Sequence, residues 1–277
     1  MSRSDFELKT NEQILLMRRA GLITAAALEA VRAAIKPGIS TLELDQIAND
    51  TIEAHGGKSN FQLVPGYFHT ICASINDEVV HGIPRADRIL QPGDLVSIDA
   101  GAIIDGWNGD SAISVVVEGG DPKISAARQR LSNVTEMSLY RGIAALAKAK
   151  RLNEVGIAIE KYIQSQGKFG ILEQYVGHGI GRSMHEDPPV FNYEVRGLTP
   201  KVTPGLVVAI EPMVTAGTEI TKVLDDDWTV STIDRSDASH WEHTVAVHEG
   251  GVWVLTAPDG GASKLEPLGI TVAPLGD

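Results

Sequence analysis

The sequence lacks the marks of a secreted or membrane protein. Cys72 is the only cysteine among 277 residues, which excludes an internal disulfide and fits a reducing compartment. No run approaches about 18 consecutive apolar residues, so we expect no membrane-spanning segment. The N-terminal stretch has early acidic residues and no small-residue cleavage site after an apolar core, so we expect no signal peptide. Together these absences predict a cytoplasmic protein.

Positive charge is also scarce. The chain has 24 Lys and Arg residues against 36 Asp and Glu, a formal net charge of −12 at pH 7. Such a surface repels phosphate backbones, so we expect no stable nucleic-acid partner. The hydrophobic content of 43% and the charged content of 22% are ordinary for a globular chain that buries a core.

The chain also lacks a Ser/Pro-rich linker or a low-complexity segment that would divide it. The spacing of apolar residues predicts helices at 11–35, 41–55, 124–149 and 152–166. Runs typical of strands lie at 70–75, 94–104, 111–118, 171–177, 205–210, 243–248 and 252–256. Two helices followed by strands therefore occur twice, which suggests an internal repeat.

The repeat is visible in the residues themselves. The segment PGDLVSID, 92–99, matches PGLVVAIE, 204–211, at an offset of 112 residues, and this pairs Asp99 with Glu211. The next strand agrees, since Asp110 and Glu242 each precede a run of β-branched residues. We therefore predict two halves, each with a helix pair and a sheet that carries two inward carboxylates.

These carboxylates stand where the chain otherwise buries valine and isoleucine. A buried, unpaired carboxylate is costly and normally takes up a proton. Oxygen-rich clusters suit divalent cations, and shared carboxylates can bridge a metal pair, so we predict a metal site at Asp99, Asp110, Glu211 and Glu242. The alternative is acids on exposed turns and sheet edges, which we favour for Asp94, Asp105, Asp225, Asp226 and Asp227.

Histidine supplies a second kind of metal ligand. His178 lies in GHGIG, where flanking glycines let backbone and ligand approach closely, so we favour a functional role. A functional role is also favoured for His81, at the end of a strand-like run, and for His185, in a loop before two prolines. Of the others, we interpret His55 and His248 as ordinary polar side chains. For His240 and His243 we leave the choice between a functional and an ordinary role open.

Five motifs carry a family resemblance over nearly the whole chain: SINDEVVHGIP, SIDAGAIIDGWNGDSA, GHGIGRSMHEDPP, AIEPM and DRSDASHWEHTVAV. Together they resemble bacterial type I methionine aminopeptidase. The resemblance implies an α+β pita-bread fold, in which two pseudo-twofold-related αβ halves surround a central, mainly antiparallel curved sheet with helices outside. We therefore expect one catalytic domain over 1–277, with halves at about 11–120 and 123–256 and a C-terminal tail at 257–277.

The resemblance also implies a site with two divalent ions, of Co, Mn, Fe or Zn. Asp110 and Glu242 would bridge the ions, Asp99 would hold one of them, and His178 with Glu211 would hold the other. Glu211 would also act as general base and acid. His185 would donate to the developing oxyanion, and His81 would hydrogen-bond the scissile amide and assist the leaving amine.

The implied substrate is the N-terminal methionine of nascent polypeptides, with a small second residue favoured. A transient association with the ribosome and a monomeric state are implied as well. The methionine side chain would lie in a soft apolar pocket of Phe61, Tyr67, Cys72, Met184 and Trp228. The chain departs from the family's usual residues at this entrance, at Phe68-His69-Thr70, at Met184 and at Asn108, where a histidine is usual.

Two alternatives remain. One is an Xaa-Pro aminopeptidase or prolidase on the same fold, but such enzymes usually carry an extra N-terminal domain and further active-site histidine and arginine residues. The first helix of the repeat is predicted to begin near residue 11, so we expect no such domain. The other is a non-catalytic pita-bread binding protein, which would usually have lost metal ligands, whereas all five are present here.

Overall fold

The computed structural model describes residues 6–276. The first five residues and Asp277, which the expected domain of 1–277 includes, lie outside the described residues. The four long helices confirm the predicted ones to within one turn, and a short fifth helix lies in the C-terminal tail. Their bounds are α1 Asn11–Ala34, α2 Thr41–Ala54, α3 Pro122–Leu146, α4 Asn153–Gln166 and α5 Ala262–Leu265.

Local capping explains where the helices begin. Thr10 before α1 and Ser40 before α2 each form a capping box with the residue three positions on, Gln13 and Glu43. Asp121 caps α3, whose first residue is proline, so that the missing N–H of Pro122 costs nothing. Among the described helices, none is long and apolar enough to cross a membrane.

Fifteen strands make up the β structure of the described residues. In chain order they are β1 Lys58–Ser59, β2 Ile71–Ile75, β3 Glu78–Val80, β4 Leu95–Ile104, β5 Trp107–Val116, β6 Gly170–Ile171, β7 Gly177–Gly179, β8 Glu186–Val190, β9 Val207–Ile210, β10 Met213–Thr215, β11 Thr221–Val223, β12 Val230–Thr232, β13 Ala238–His240, β14 Glu242–His248 and β15 Gly251–Val254.

Nine of these strands form one antiparallel sheet. Its order is β1-β4-β5-β14-β9-β7-β8, with β2 added beside β4 and β15 beside β14. The strand pair of the first half, β4–β5, thus lies next to the strand pair of the second, β14–β9. The two pairs meet where Ala112 and Ser111 of β5 face Glu242 and His243 of β14. A twofold axis that relates the two halves would pass through this seam between β5 and β14.

The helices cover one side of the sheet in two pairs, α1 with α2 and α3 with α4. The main core lies between them and the sheet, and it includes Ile98, Ile113 and Val208 from the strands together with Leu139 and Ile143 from α3. Every one of these side chains is at most 5% exposed. The other side of the sheet is thereby left for polar residues.

Glycine brings α1 unusually close to the sheet. A Cβ atom on Gly109 of β5 would lie 2.7 Å from the backbone nitrogen of Gly21 in α1, and a Cβ atom on Gly21 would collide with the carbonyl of Leu255. The helix therefore packs backbone against backbone at this point, which only glycine on both elements permits.

Several strand predictions need correction. The run 171–177 is not one strand, because the chain leaves β6 in a small sheet with β10 and enters β7 in the large sheet. The run expected from 111 begins earlier, at Trp107, because Asp105 and Gly106, both with positive φ, complete a tight hairpin turn. The strands β10 to β13 were not predicted, because three residues each are too few to show the alternation of apolar and polar side chains.

Asp94 also differs from the exposed turn acid that we expected. It does follow a turn, but it is 9% exposed, accepts hydrogen bonds from Asn76 Nδ2 and the Gln91 backbone, and lies 3.7 Å from Arg128 Nη1. The tail is docked through most of its length, because Leu265 and Ile270 are buried and Ala273 donates from its backbone to Val252.

We expect Gly109→Ala to lower the free energy of unfolding by about 1–3 kcal/mol, because the added methyl group forces α1 away from the sheet. Urea denaturation measures the change. Gly276→Ala is the matched control, since a Cβ atom there meets no neighbour. An unchanged denaturation midpoint for Gly109→Ala would contradict the close helix–sheet packing.

Candidate active site

Three carboxylates come together through the register of β4, β5 and β14. Ala112 of β5 lies directly opposite Asp99 on one neighbouring strand and opposite Glu242 on the other. Asp110 is two residues before Ala112, so its side chain leaves the same side of the sheet. The three acids therefore surround the small side chain of Ala112 on the side of the sheet away from Ile98 and Ile113.

The seam between β5 and β14 is held by side-chain hydroxyl groups. The hydroxyl of Thr244 accepts from the Asp110 backbone nitrogen at 3.0 Å and donates to the Asp110 carbonyl oxygen at 2.8 Å. On the neighbouring residue, Ser111 donates to the backbone oxygen of Glu242 at 2.6 Å. These bonds fix the backbone from which Asp110 and Glu242 project.

The second half adds Glu211, which follows β9, and His178 in the middle of β7. His178 Nε2 lies 3.5 Å from Glu211 Oε1, and His240 Nε2 lies 3.5 Å from Glu211 Oε2. The glycines beside His178 serve strand packing, since a Cβ atom on Gly177 or Gly179 would collide with a backbone carbonyl of a neighbouring segment. The reason we gave for them, close approach of a ligand, is therefore incomplete.

Several polar atoms of this cluster have no hydrogen-bond partner among the described residues. Ligand atoms of Asp110, His178 and Glu242 all lie within 4.8 Å of one another. Asp99 Oδ1, Asp110 Oδ1 and Glu242 Oε1 are buried and accept no hydrogen bond from the described residues. Buried carboxylate oxygens are rarely left unsatisfied, so the cluster fits a bound cation.

The electrostatics agree with that interpretation. Burial raises the pKa of Asp99 to about 7, with Glu211 adding to the shift and His240 opposing it. Burial also raises the pKa of Glu211 to about 7, which His178 opposes. The pKa values of Asp110 and Glu242 are raised by burial and by the neighbouring carboxylates. Without a cation, these groups therefore hold protons that a metal ion would displace.

All the predicted site residues line one cavity of about 160 Å³. The five predicted ligands line it, namely Asp99, Asp110, His178, Glu211 and Glu242. The two predicted non-ligand histidines, His81 and His185, line it as well. The five predicted pocket residues complete the set: Phe61, Tyr67, Cys72, Met184 and Trp228. Four further lining residues were not predicted, namely Val64, Val80, Tyr175 and Met213, and a fifth is His240, whose role the sequence left open.

His81 and His185 lie beside the carboxylate cluster. His81 has a positive φ of 60°, rare for a side chain of its size, and packs edge-to-face on Tyr175 with ring centres 5.5 Å apart. The ring of His185 lies 4.4 Å from that of His178. Burial lowers the pKa of His81 to about 4 and also lowers that of His185. Both rings are neutral near pH 7 and each offers one N–H donor.

The far wall of the cavity is apolar. Phe61, Tyr67 and Cys72 form a small buried cluster with Met184 and Trp228 packed against it. The rings of Tyr67 and Trp228 lie 5.0 Å apart, and the Tyr67 hydroxyl donates to the carbonyl oxygen of Ile71 at 2.6 Å. Burial raises the pKa of the Cys72 thiol, so this wall carries no charge. An apolar, polarisable side chain fits such a wall.

The remaining histidines separate clearly. His243 projects to the other side of β14, where Nε2 meets the Tyr140 hydroxyl at 2.9 Å and Nδ1 meets Thr256 at 2.8 Å. His240 instead reaches the cavity. His248 and His55 contact backbone carbonyls of Ala273 and Thr51, which confirms their interpretation as ordinary polar side chains.

Comparison with known proteins places this site in a family. Residues 15–249 match the model of metallopeptidase family M24. The chain is 50% identical over 245 residues to methionine aminopeptidase 1 of Mycobacterium tuberculosis, which covers 87% of this chain and 91% of that protein. The crystal structure of methionine aminopeptidase from Thermotoga maritima superposes with a TM-score of 0.86 at 35% identity, covering 91% of this chain and 99% of that one.

More distant likeness extends to a prolidase from Pyrococcus furiosus, with a TM-score of 0.69 at 22% identity. That comparison covers 90% of this chain but 65% of the prolidase, and it shows the shared pita-bread fold alone. The family match, the level of identity and the buried cluster of metal-binding side chains agree with one another. The chain belongs to metallopeptidase family M24, among its methionine aminopeptidases.

Proposed function

We propose that the chain releases N-terminal methionine from nascent polypeptides at a site with two divalent ions, in the cytoplasm. Asp99, Asp110, His178, Glu211 and Glu242 would hold the ions. The observation that carries this proposal is the set of buried, unpartnered carboxylate oxygens in a cavity that also has an apolar wall. A mixed set of carboxylate and imidazole ligands accepts Co, Mn, Fe or Zn, so the proposal includes all four metals.

The bound ions would supply a water of lowered pKa and a Lewis acid for the scissile carbonyl. The residues around them supply proton transfer and positioning. Glu211 is a carboxylate of the same cluster and would take up a proton from the attacking water and return it to the leaving amine. His178 Nε2 and His240 Nε2 each lie 3.5 Å from one of its two oxygens.

Two neutral imidazoles complete the proposed machinery. His185 would donate a ring N–H to the oxygen on which negative charge develops, and His81 would hydrogen-bond the scissile amide and assist the leaving amine. Both rings are kept neutral by burial, so that a donor is available without an added positive charge. A preorganised donor in a buried site is worth more than the same donor in water.

Substrate selection would rest on the shape of the cavity. Phe61, Tyr67, Cys72, Met184 and Trp228 would hold the methionine side chain, since a thioether packs well on soft apolar and aromatic groups. The cavity of about 160 Å³ is small beside the roughly 300–1,000 Å³ of most ligand pockets. This size supports a site for one large side chain followed by a small second residue.

We also propose a single catalytic domain with halves at 11–120 and 123–256 and a docked tail at 257–277. The continuous sheet through β5 and β14 supports one domain, since the main core cluster of the described residues contains side chains from both halves. A monomeric state and transient contact with the ribosome complete the proposal. The acidic net charge favours brief contact over stable attachment to a polyanion.

The first test is substrate choice. After reconstitution with Mn²⁺ or Co²⁺, the protein should release methionine from Met-Gly-Met-Met and should leave Xaa-Pro peptides intact. Free methionine and proline are measured by chromatography. Cleavage of the Xaa-Pro peptides with no methionine release would favour the prolidase alternative, and metal binding with no hydrolysis of either peptide would favour a binding protein.

The second test removes a bridging carboxylate. Asp110→Asn or Glu242→Gln should lose essentially all turnover, because an amide neither balances nor bridges two cations, while the circular dichroism spectrum stays unchanged. Asp105→Asn is the matched control, since Asp105 is an exposed acid of the same hairpin that pairs with Arg19. Full activity in either bridging variant would refute the ligand assignment.

The third test uses pH. The folded pKa values of Asp99 and Glu211 are about 7, whereas the unfolded value is roughly 4. Between about pH 4 and pH 7 the folded state therefore keeps protons on these two groups that the unfolded state has released. The metal-free protein should therefore lose stability as pH rises from 5 to 7.5, and the increase in Tm caused by Mn²⁺ should grow. Asp99→Asn should flatten the metal-free profile. A larger Mn²⁺ effect at pH 5 than at pH 7.5 would contradict this expectation.

A further inference from the structure

The loop between β7 and β8 carries two side chains into the cavity. Residues 181–185 form successive bends without regular secondary structure, and they include Met184 and His185. A loop without its own hydrogen-bond ladder takes its shape from contacts with neighbouring elements. The position of His185 therefore depends on what holds this loop.

Asn108, near the start of β5, makes several of those contacts. Its backbone N–H donates to the Gly181 carbonyl oxygen at 3.0 Å. Its side-chain Nδ2 donates to the carbonyl oxygens of Gly181 at 3.0 Å and Arg182 at 3.1 Å. Its Oδ1 accepts from Asn60 Nδ2 at 3.2 Å, and the residue is 2% exposed. Donors and acceptor of the amide are thus all engaged.

The residue type matches this arrangement. A carboxamide offers two N–H donors and one oxygen acceptor on one rigid group, which is what two neighbouring carbonyls and a donor require. A neutral imidazole, the group usual at this position in the family that the sequence resembles, offers one N–H. An aspartate of the same shape could donate to neither carbonyl.

The contact also joins the loop to the carboxylate cluster. Asn108 and Asp110 are two residues apart on β5 and project from the same side of the sheet. The tip of the same hairpin adds a second contact, because Arg182 stacks 4.1 Å from the Trp107 ring and donates to the Asp105 carbonyl oxygen at 3.1 Å. The loop that carries His185 is therefore tied directly to the strand that carries Asp110.

We propose that Asn108 is a positioning residue, which fixes His185 relative to Asp110 so that the imidazole N–H meets the oxyanion of the substrate. The proposal rests on the proposed function, since it assumes that His185 donates in the transition state. A donor displaced by about 1 Å can cost on the order of 10²-fold in rate, so the loss of this tether should be visible in kcat.

A double-mutant cycle tests the proposal. Asn108→Ala, His185→Ala and the double variant are each assayed on Met-Gly-Met-Met at saturating Mn²⁺, and bound metal is measured separately. Asn108→Ala should lower kcat about tenfold or more with KM and metal content unchanged. In the His185→Ala background it should cause no further loss, because its effect acts through that ring. An equal loss in both backgrounds, or no loss in either, would overturn the proposal.

Substitutions of graded donor capacity provide a second readout. Asn108→His keeps one donor and should retain an intermediate kcat, whereas Asn108→Asp should fall as far as alanine. Equal kcat values for these two variants would count against the tether, even if Asn108→Ala does not fold. Asn153→Ala is the matched control: its Oδ1 accepts from the Val195 backbone at 2.9 Å in the second half, and its kcat should stay at the wild-type value.

The oxyanion role of His185 and the tether through Asn108 are refuted by different results. Unchanged kcat in His185→Ala would reject the oxyanion role of that residue and with it the tether that serves it. A large loss in His185→Ala, combined with additive behaviour of Asn108→Ala, would reject the tether alone and leave the proposed function standing.

Discussion

Four carboxylates, of which Asp110 and Glu242 are buried and Asp99 and Glu211 are half-buried, share one cavity, and their mutual repulsion is the constraint around which the molecule is arranged. Asp99, Asp110, Glu211 and Glu242 come from four different places in the sequence, and burial raises the pKa of each. Water cannot solvate them fully there, and few protein donors reach them. Protons or cations must therefore compensate the charge, and only cations compensate it without removing the acids' capacity as ligands.

The sheet makes this concentration of charge possible. Neighbouring antiparallel strands bring residues from opposite halves of the chain into register, and the hydroxyls of Thr244 and Ser111 hold the two backbones where the acids project. The apolar faces of the same strands pack on the helices, so core burial on one side stabilises an unfavourable cluster on the other. The close backbone contact between Gly21 and Gly109 lies one residue from Asp110.

Much of the site could be predicted because its residues lie on long, regular strands or in the repeat. Asp99 and Asp110 interrupt runs of buried β-branched residues, and the repeat then pointed to Glu211 and Glu242. Tyr175 and Met213 were missed, and His240 was left open, because they lie on three-residue strands or in loops, where no period identifies the inward face. The run 171–177 was mistaken for one strand since apolar composition does not reveal that the chain changes sheets. Asp94 was misjudged because its partner Arg128 comes from a distant helix.

Ala112 has a significance beyond its size. It stands between Asp99 and Glu242 in the strand register, so the room for ions is the space that a larger side chain would have filled. That room lies within the side-chain layer of a single sheet, and its width follows from the spacing of roughly 4.8 Å between hydrogen-bonded strands. Bending of the outer helices or the entrance loops would leave this dimension almost untouched. The metal site is therefore as rigid as the hydrogen-bonded strands that form it. Adaptation to different polypeptides depends on the outer helices and the entrance loops.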